Sequence, residues 1–144
     1  MNGRRGKTAR RRKGRYAMRL RIVVAGSRTF DDQARADAEL DAALAEIAAK
    51  GPIESVEFVS GGCRGADALG EAYARKRGWP VTVMPAEWKK YGRAAGPIRN
   101  AEMLDYARAE TPRLVAFWDG RSHGTRDVIA RANEKGVPTK IVYL

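Results

Sequence analysis

At 144 residues with 44% hydrophobic side chains, the chain has the length of one domain with its own core, and no apolar run approaches the ~20 residues of a membrane helix. A single cysteine, Cys63, excludes an internal disulfide framework and a multi-thiolate zinc site, so a reducing, cytoplasmic setting is expected. The net charge of +11 is local: residues 1–15 hold eight basic side chains and no acid, while the rest carries 20 basic and 17 acidic groups.

The basic segment comprises Arg4, Arg5, Lys7, Arg10, Arg11, Arg12, Lys13 and Arg15 among Gly and Asn, with almost nothing apolar. Such a composition cannot offset the entropy of ordering. Residues 1–18 are therefore expected to be a disordered tail, and 19–144 the domain. The tail's chemistry suits non-specific, salt-dependent contact with nucleic acid phosphates. A solubilising extension, or translation starting at Met18, reads it equally well. It lacks the apolar region of a secretory signal.

Leu20-Arg21-Ile22-Val23-Val24-Ala25 predicts a β-strand that stops at Gly26-Ser27-Arg28. Asp31 or Asp32 can cap the next helix, where Leu40, Leu44, Ile47 and Ala48 form an apolar stripe before Gly51-Pro52. A second strand, about Ser55–Val59, runs into Ser60-Gly61-Gly62-Cys63-Arg64-Gly65-Ala66-Asp67. Glycines at a strand-to-helix junction admit close backbone approach, and the helix start offers free N–H groups to an anion. The helix covers about Ala66–Arg77, with Leu69 and Tyr73 inward. Val81–Met84 is a third strand, followed by an irregular Pro85–Gly96. Pro97 opens a helix whose inner face is Ile98, Ala101, Leu104 and Ala107. The continuously apolar Leu114–Trp118 predicts a central parallel strand. It leads into Asp119-Gly120-Arg121-Ser122-His123-Gly124-Thr125, a last helix to about Lys135, and a closing strand from Lys140.

Five strands alternating with four helices predict an α/β fold, a doubly wound parallel sheet in a single domain. Ligands of such sheets sit beyond the carboxyl ends of the strands. Those ends collect Gly26, Ser27, Arg28, Gly61, Gly62, Arg64, Gly65, Asp67, Arg99, Asn100, Trp118, Gly120, Ser122, Gly124 and Thr125, a set suited to a phosphorylated ligand. Trp88, Tyr91 or Trp118 could stack on a base, with packing the simpler role for Trp88 and Tyr91. Asp67 could cap its helix, hold a ribose hydroxyl or act as a base. His123, the sole histidine, reads as a bystander, and Cys63 as a small packing residue. A Walker A spacing and G-x-G-x-x-G are both absent.

Four ordered stretches carry a family resemblance: Val23–Phe30, Val59–Asp67, Tyr91–Asn100 and Ala116–Asp127. They resemble the YspA (YpsA-related) group of the SLOG superfamily, the Rossmann-like proteins named for SMF/DprA and LOG, over essentially Leu20–Leu144. The resemblance implies a Rossmann-like domain binding a nucleotide or nucleotide-derived ligand of ADP-ribose or NAD type. Such a domain would act as a sensor or sequestering module in bacterial or phage conflict and signalling systems.

Two alternatives follow from the relatives. One is a LOG-like phosphoribohydrolase cleaving a nucleotide N-glycosidic bond, for which Asp67, Asp119 and Asp127 are the available acids. This chain keeps the Gly124-Thr125 pair of the LOG signature. It lacks the proline and the glutamate, and Val128 or Ile129 falls where the glutamate belongs. The other is DprA-like DNA binding through the tail. No cofactor or metal is expected to be required. The expected partner is a nucleotide-derived small molecule; nucleic acid at the tail and a second copy of the chain are further options, a membrane is not.

Overall fold

The computed structural model describes the backbone of residues 9–12 and 15–144, with side chains from Ala17 onward. The elements in order are β1 (Ala9–Arg12), β2 (Arg15–Gly26), α1 (Gln33–Ala48), β3 (Ile53–Ser60), α2 (Ala66–Lys76), β4 (Val81–Val83), the one-turn α3 (Trp88–Tyr91), a 3₁₀ turn (Gly92–Ala94), α4 (Ala95–Arg108), β5 (Thr111–Trp118), α5 (His123–Glu134) and β6 (Thr139–Tyr143). The main sheet runs β4-β3-β2-β5-β6, and every neighbouring pair on that path is parallel. This is the doubly wound Rossmann-like order. The chain leaves β2 in one direction to build β3 and β4, then returns to build β5 and β6 on the other side. The reversal falls between β2 and β5, where Gly26 lies opposite Phe117.

The strand pleat sorts β2 into two cores. Leu20, Ile22 and Val24 face α1 and α2, meeting Leu40, Ile47, Phe58 and Tyr73. Val23 and Ala25 face α4 and α5, meeting Met103, Leu104, Val128 and Ile129. Both faces of the central strands are covered, which explains their nearly unbroken apolar sequences. Asp32 caps α1, its Oδ1 accepting the Arg35 N–H at 3.0 Å.

Three expectations change. β2 begins at Arg15, and residues 9–12 pair antiparallel with residues 15–18, so part of the tail expected to be disordered is strand. Ala17 is fully buried, Met18 packs on the core, and the Met18 N–H donates to the Pro52 carbonyl at 2.8 Å. Backbone pairing onto an existing strand needs no apolar side chains, which is why composition missed it. Residues 1–8 and 13–14, hence Arg4, Arg5, Lys7 and Lys13, lie outside the described residues. Second, residues 88–94 are helical turns. Third, α4 is rotated from its expected phase: Arg99 and Asn100 are buried with Met103, Leu104 and Ala107, while Ile98 and Ala101 are half-buried. Polar side chains turned toward the top of the sheet moved the helix face away from the apolar count.

Gly65 fixes how the β3–α2 turn meets the β2–α1 loop. It has φ 80°, and a Cβ there would overlap the Ser27 carbonyl oxygen and the Arg28 backbone. Gly78, with φ 72°, has open space around the same position. Gly65→Ala is therefore expected to cost at least ~3 kcal/mol, from left-handed strain plus overpacking against backbone. Gly78→Ala should cost only ~1–2 kcal/mol. Urea unfolding of the two variants checks the contrast, and equal losses would show that the contact at Gly65 is not a constraint.

Candidate functional site

At the carboxyl end of the sheet, on the α4/α5 side of the β2–β5 reversal, lies a cleft of about 610 Å³. Its floor is Ala25 and Gly26 at the end of β2. One wall is the β3–α2 turn through Cys63 and Asp67, another is α4 from Gly96 to Met103, and a third is α5 from Ser122 to Val128. Trp88 and Arg93 complete the mouth.

The sequence brings three helix starts to this rim, and none is closed by a side-chain cap. The cap residues of α2, α4 and α5 are Gly65, Ala94 and Ser122, without a side-chain hydrogen bond to the helix. At α2 the Ala66 N–H is bonded to the Ser27 carbonyl, and at α4 the Ala95 N–H is bonded to the Gly92 carbonyl while Pro97 has none. The first turn of α5 is the one whose N–H groups are left to water or a ligand, with the positive end of the helix dipole behind them. At α5 the Ser122 Oγ instead donates to Thr125 Oγ1 at 3.1 Å. Gly124, the second residue of that helix, has no atom near the position of a Cβ, so nothing covers the turn.

Beneath the rim are two buried charged groups. Arg99 is 9% exposed; its Nη1 donates to the Gly61 carbonyl at 2.8 Å and its Nε to Asn100 Oδ1 at 3.1 Å. A side chain at Gly61 would collide with that guanidinium. Asp67 is 6% exposed and accepts the Cys63 N–H on Oδ2 at 3.2 Å. Desolvation pushes its carboxyl up from the ordinary 3.8 to about 6, against the lowering effects of the Cys63 N–H and the Arg99 charge. Asn100 ties the walls together, its Nδ2 donating to the Gly124 carbonyl at 3.3 Å and to Asp127 Oδ2 at 3.0 Å. Asp127 is also paired with Arg131 at 2.9 Å.

Of the residues expected at the site, Gly26, Arg28, Asp67, Arg99, Asn100, Ser122, Gly124, Thr125 and Asp127 line the cleft together. The others shape it from behind or stand apart. Ser27 is buried, its N–H donating to the Phe117 carbonyl and its carbonyl accepting from Ala66. Gly61 and Gly65 make room for Arg99 and for the β2–α1 loop. Gly62 is exposed, its N–H bonded to Ser60 Oγ at 3.0 Å, and Arg64 is exposed on the turn. Asp119 is an exposed turn residue whose carboxylate accepts the Arg121 and Ser122 N–H groups, both at 2.8 Å, which hold its pKa below the ordinary range. Gly120, with φ 80°, serves the same turn. Trp118 donates to the Ser122 carbonyl and packs by Tyr143, away from the cleft.

Lining residues not singled out as ligand contacts include Arg93, Gly96, Pro97, Met103 and Val128, and also Cys63 and His123, read as packing and bystander groups. The signal for Arg93 and Gly96 was present in the glycine-flanked stretch Gly92–Gly96. Among the described residues, no group of three His, Cys, Asp or Glu is placed to hold a metal. No helix among them is long and apolar enough to cross a membrane.

The sequence model of the YspA, cpYpsA-related SLOG family matches residues 20–91, from the middle of the central strand through the second glycine turn to α3. The chain belongs to this family. It is also similar to the "Gene 61 protein" of Mycobacterium phage D29, with 36% identity over 123 residues, 82% of this chain and 92% of that protein. No solved structure matches it. Membership in the SLOG family points to a nucleotide-related binding or processing domain and to a small-molecule partner. The matched span supplies the floor and one wall of the cleft, while α4 and α5 lie beyond it.

Asp67 sets a pH dependence. Its folded pKa lies above the unfolded one, so the folded state holds an extra proton between 3.8 and about 6, and stability from this group falls as pH rises through that window. The loss is on the order of 3 kcal/mol when complete. Asp67→Asn, which keeps an acceptor for the Cys63 N–H, should gain about that much relative to the parent between pH 4 and pH 7.5, measured by denaturant unfolding at each pH. A pH-independent difference between the two proteins would contradict the buried, proton-retaining carboxyl.

Proposed function

We propose that the cleft binds a nucleotide-derived ligand of ADP-ribose or NAD type, and that the protein acts as a sensor or sequestering module for it. The observation carrying this reading is the open first turn of α5, at a rim where two further helices begin, on a cleft of about 610 Å³ that also holds the buried Arg99. Free N–H groups at helix starts favour phosphate, and no metal is needed where they and Arg28, Arg93 and Arg99 answer its charge. The cleft volume suits one nucleotide-sized molecule. Asp67 accepts a ribose hydroxyl in this arrangement, a neutral donor that a desolvated carboxyl tolerates better than another anion.

Isothermal titration calorimetry with ADP-ribose, NAD and AMP, with and without EDTA, tests the reading. Gly124→Asp is the decisive variant: the site has room for the side chain, and a carboxylate in the first turn stabilises α5 while occupying the anion position. Binding should weaken at least ~10-fold, equivalent to ~1.4 kcal/mol, with Tm unchanged or raised. A folded protein that binds none of the three ligands rejects the proposal.

A second reading, hydrolysis of a nucleotide N-glycosidic bond, is favoured by one observation: the Asp67 carboxyl lines the cleft yet is buried, and desolvation pushes it up to about 6, close to the pH at which a general acid or base works well. Asp127 is less available, being held by Asn100 and Arg131. In this reading Asp67→Asn should reduce base release from AMP at least ~100-fold, followed by chromatography of the freed base, while ligand affinity stays within a few-fold. Unchanged release excludes Asp67 as the catalytic group.

A further inference from the structure

Trp88 stands out among the chain's large apolar side chains. It is 51% exposed, and of the exposed large hydrophobic residues Val83, Trp88, Tyr143 and Leu144 it is the one that lines the cleft. The other tryptophans have partners: Trp79 stacks near Phe58 and Tyr73 in the core, and Trp118 lies beside Tyr143. Trp88 begins the one-turn α3, and its far ring edge rests on α4, where a Cβ on Gly96 would stand 3.4 Å from Trp88 Cη2. The indole thus has one edge turned toward the glycine of α4, and about half of the residue is left to solvent beside the cleft. That geometry suits a platform. A side chain with only a packing role would cover more of itself.

The rest of the cleft gives the platform an orientation. The open helix start at Ser122–Thr125 and the buried Arg99 supply positive charge and N–H donors, while Trp88 supplies an aromatic face. A ligand filling both parts carries an anion at one end and a flat ring at the other. We propose that Trp88 is the stacking platform for the heteroaromatic base of the bound nucleotide and sets the protein's preference for base-bearing ligands over plain sugar phosphates. This inference rests on the nucleotide-binding reading and extends it to a residue and a ligand class.

The test compares AMP, which has both ends, with ribose 5-phosphate, which has only the anionic one. In Trp88→Ala, AMP affinity should fall by about tenfold or more, in line with the loss of one base–aromatic stack, while ribose 5-phosphate affinity stays within about twofold. Trp88→Phe should retain most of the AMP affinity, since a smaller ring still stacks. AMP should also quench tryptophan fluorescence in the parent, and that quench should disappear in Trp88→Phe. Equal losses for the two ligands would show that Trp88 only props α4, and an unchanged AMP affinity would show no stacking; either overturns the inference while leaving nucleotide binding intact. If the folded parent binds neither ligand, the nucleotide reading itself fails and this inference falls with it.

Discussion

The site depends on the Ser27 peptide. Its N–H donates to the Phe117 carbonyl at 2.9 Å, which holds the end of β2 to the end of β5. Its carbonyl accepts the Ala66 N–H at 3.0 Å, which pins the start of α2 to the same point. Gly26 and Gly65 flank this junction; a Cβ at Gly26 would strike the Phe117 backbone, and one at Gly65 the backbone of Ser27 and Arg28. Three segments far apart in sequence are thereby held within backbone contact at the sheet's reversal. Without that approach the floor of the cleft, Asp67 and the Arg99–Gly61 bond would lose their shared frame. The glycines therefore act as spacers that let protein meet protein, and the cleft is the room left beside them.

Away from the cleft, charged groups are largely consumed. Arg21 pairs with Glu57 at 3.1 Å and lies over the Tyr106 ring, and the Tyr106 hydroxyl donates to Glu57 at 2.6 Å. Tyr73 donates to Asp41 at 2.6 Å under the Arg77 guanidinium. These clusters satisfy one another, so they bind the fold together and offer little to a partner. At the carboxyl rim the balance is reversed. Helix-start N–H groups there lack side-chain caps, and both Asp67 and Arg99 are withdrawn from water. The Ser27 and Gly92 carbonyls take up one N–H each at the α2 and α4 starts, whereas the α5 start is left to water, at a stability cost that a cap would avoid. The open start of α5 beside these two buried groups is what sets this end of the sheet apart from the rest of the surface.

The strand and helix sequence, the parallel sheet and the rim's location follow from short-range pattern. Leu20–Ala25 and Leu114–Trp118 announce buried parallel strands, and Gly51-Pro52, Gly78 and Gly136 announce helix ends. Residues that line the cleft are legible where a strand end meets a glycine turn, as for Gly26, Asp67 and Gly124. The placements that differ from the linear pattern share a cause. Trp118 and Asp119 follow a strand end as a ligand group would, but the Trp118 indole turns to the Ser122 carbonyl and the Asp119 carboxylate closes its own turn. Periodicity placed Ile98 and Ala101 inward because it counts apolar residues. A helix flanking a polar cleft instead buries Arg99 and Asn100. Side-chain direction at a loop, and the polarity of the surface a helix meets, are tertiary facts that a linear pattern does not hold.

The two buried charges constrain what can fill the cleft. A bare anion drawn to the helix starts would also lie near Asp67 when that carboxyl is ionised, and the desolvated carboxylate would oppose it. Protonation of Asp67 removes the conflict, and so does a ligand that presents a hydroxyl donor to the carboxyl while keeping its charge at the helix starts. A sugar phosphate meets both conditions in one molecule, whereas inorganic phosphate meets one. The same reasoning separates holding a ligand from transforming it. Asp127 is bound into the wall by Asn100 and Arg131, so its carboxylate acts on the shape of the cleft. Asp67, with one oxygen bonded to the Cys63 N–H and its proton held until about pH 6, is the group through which binding and any chemistry would both be felt.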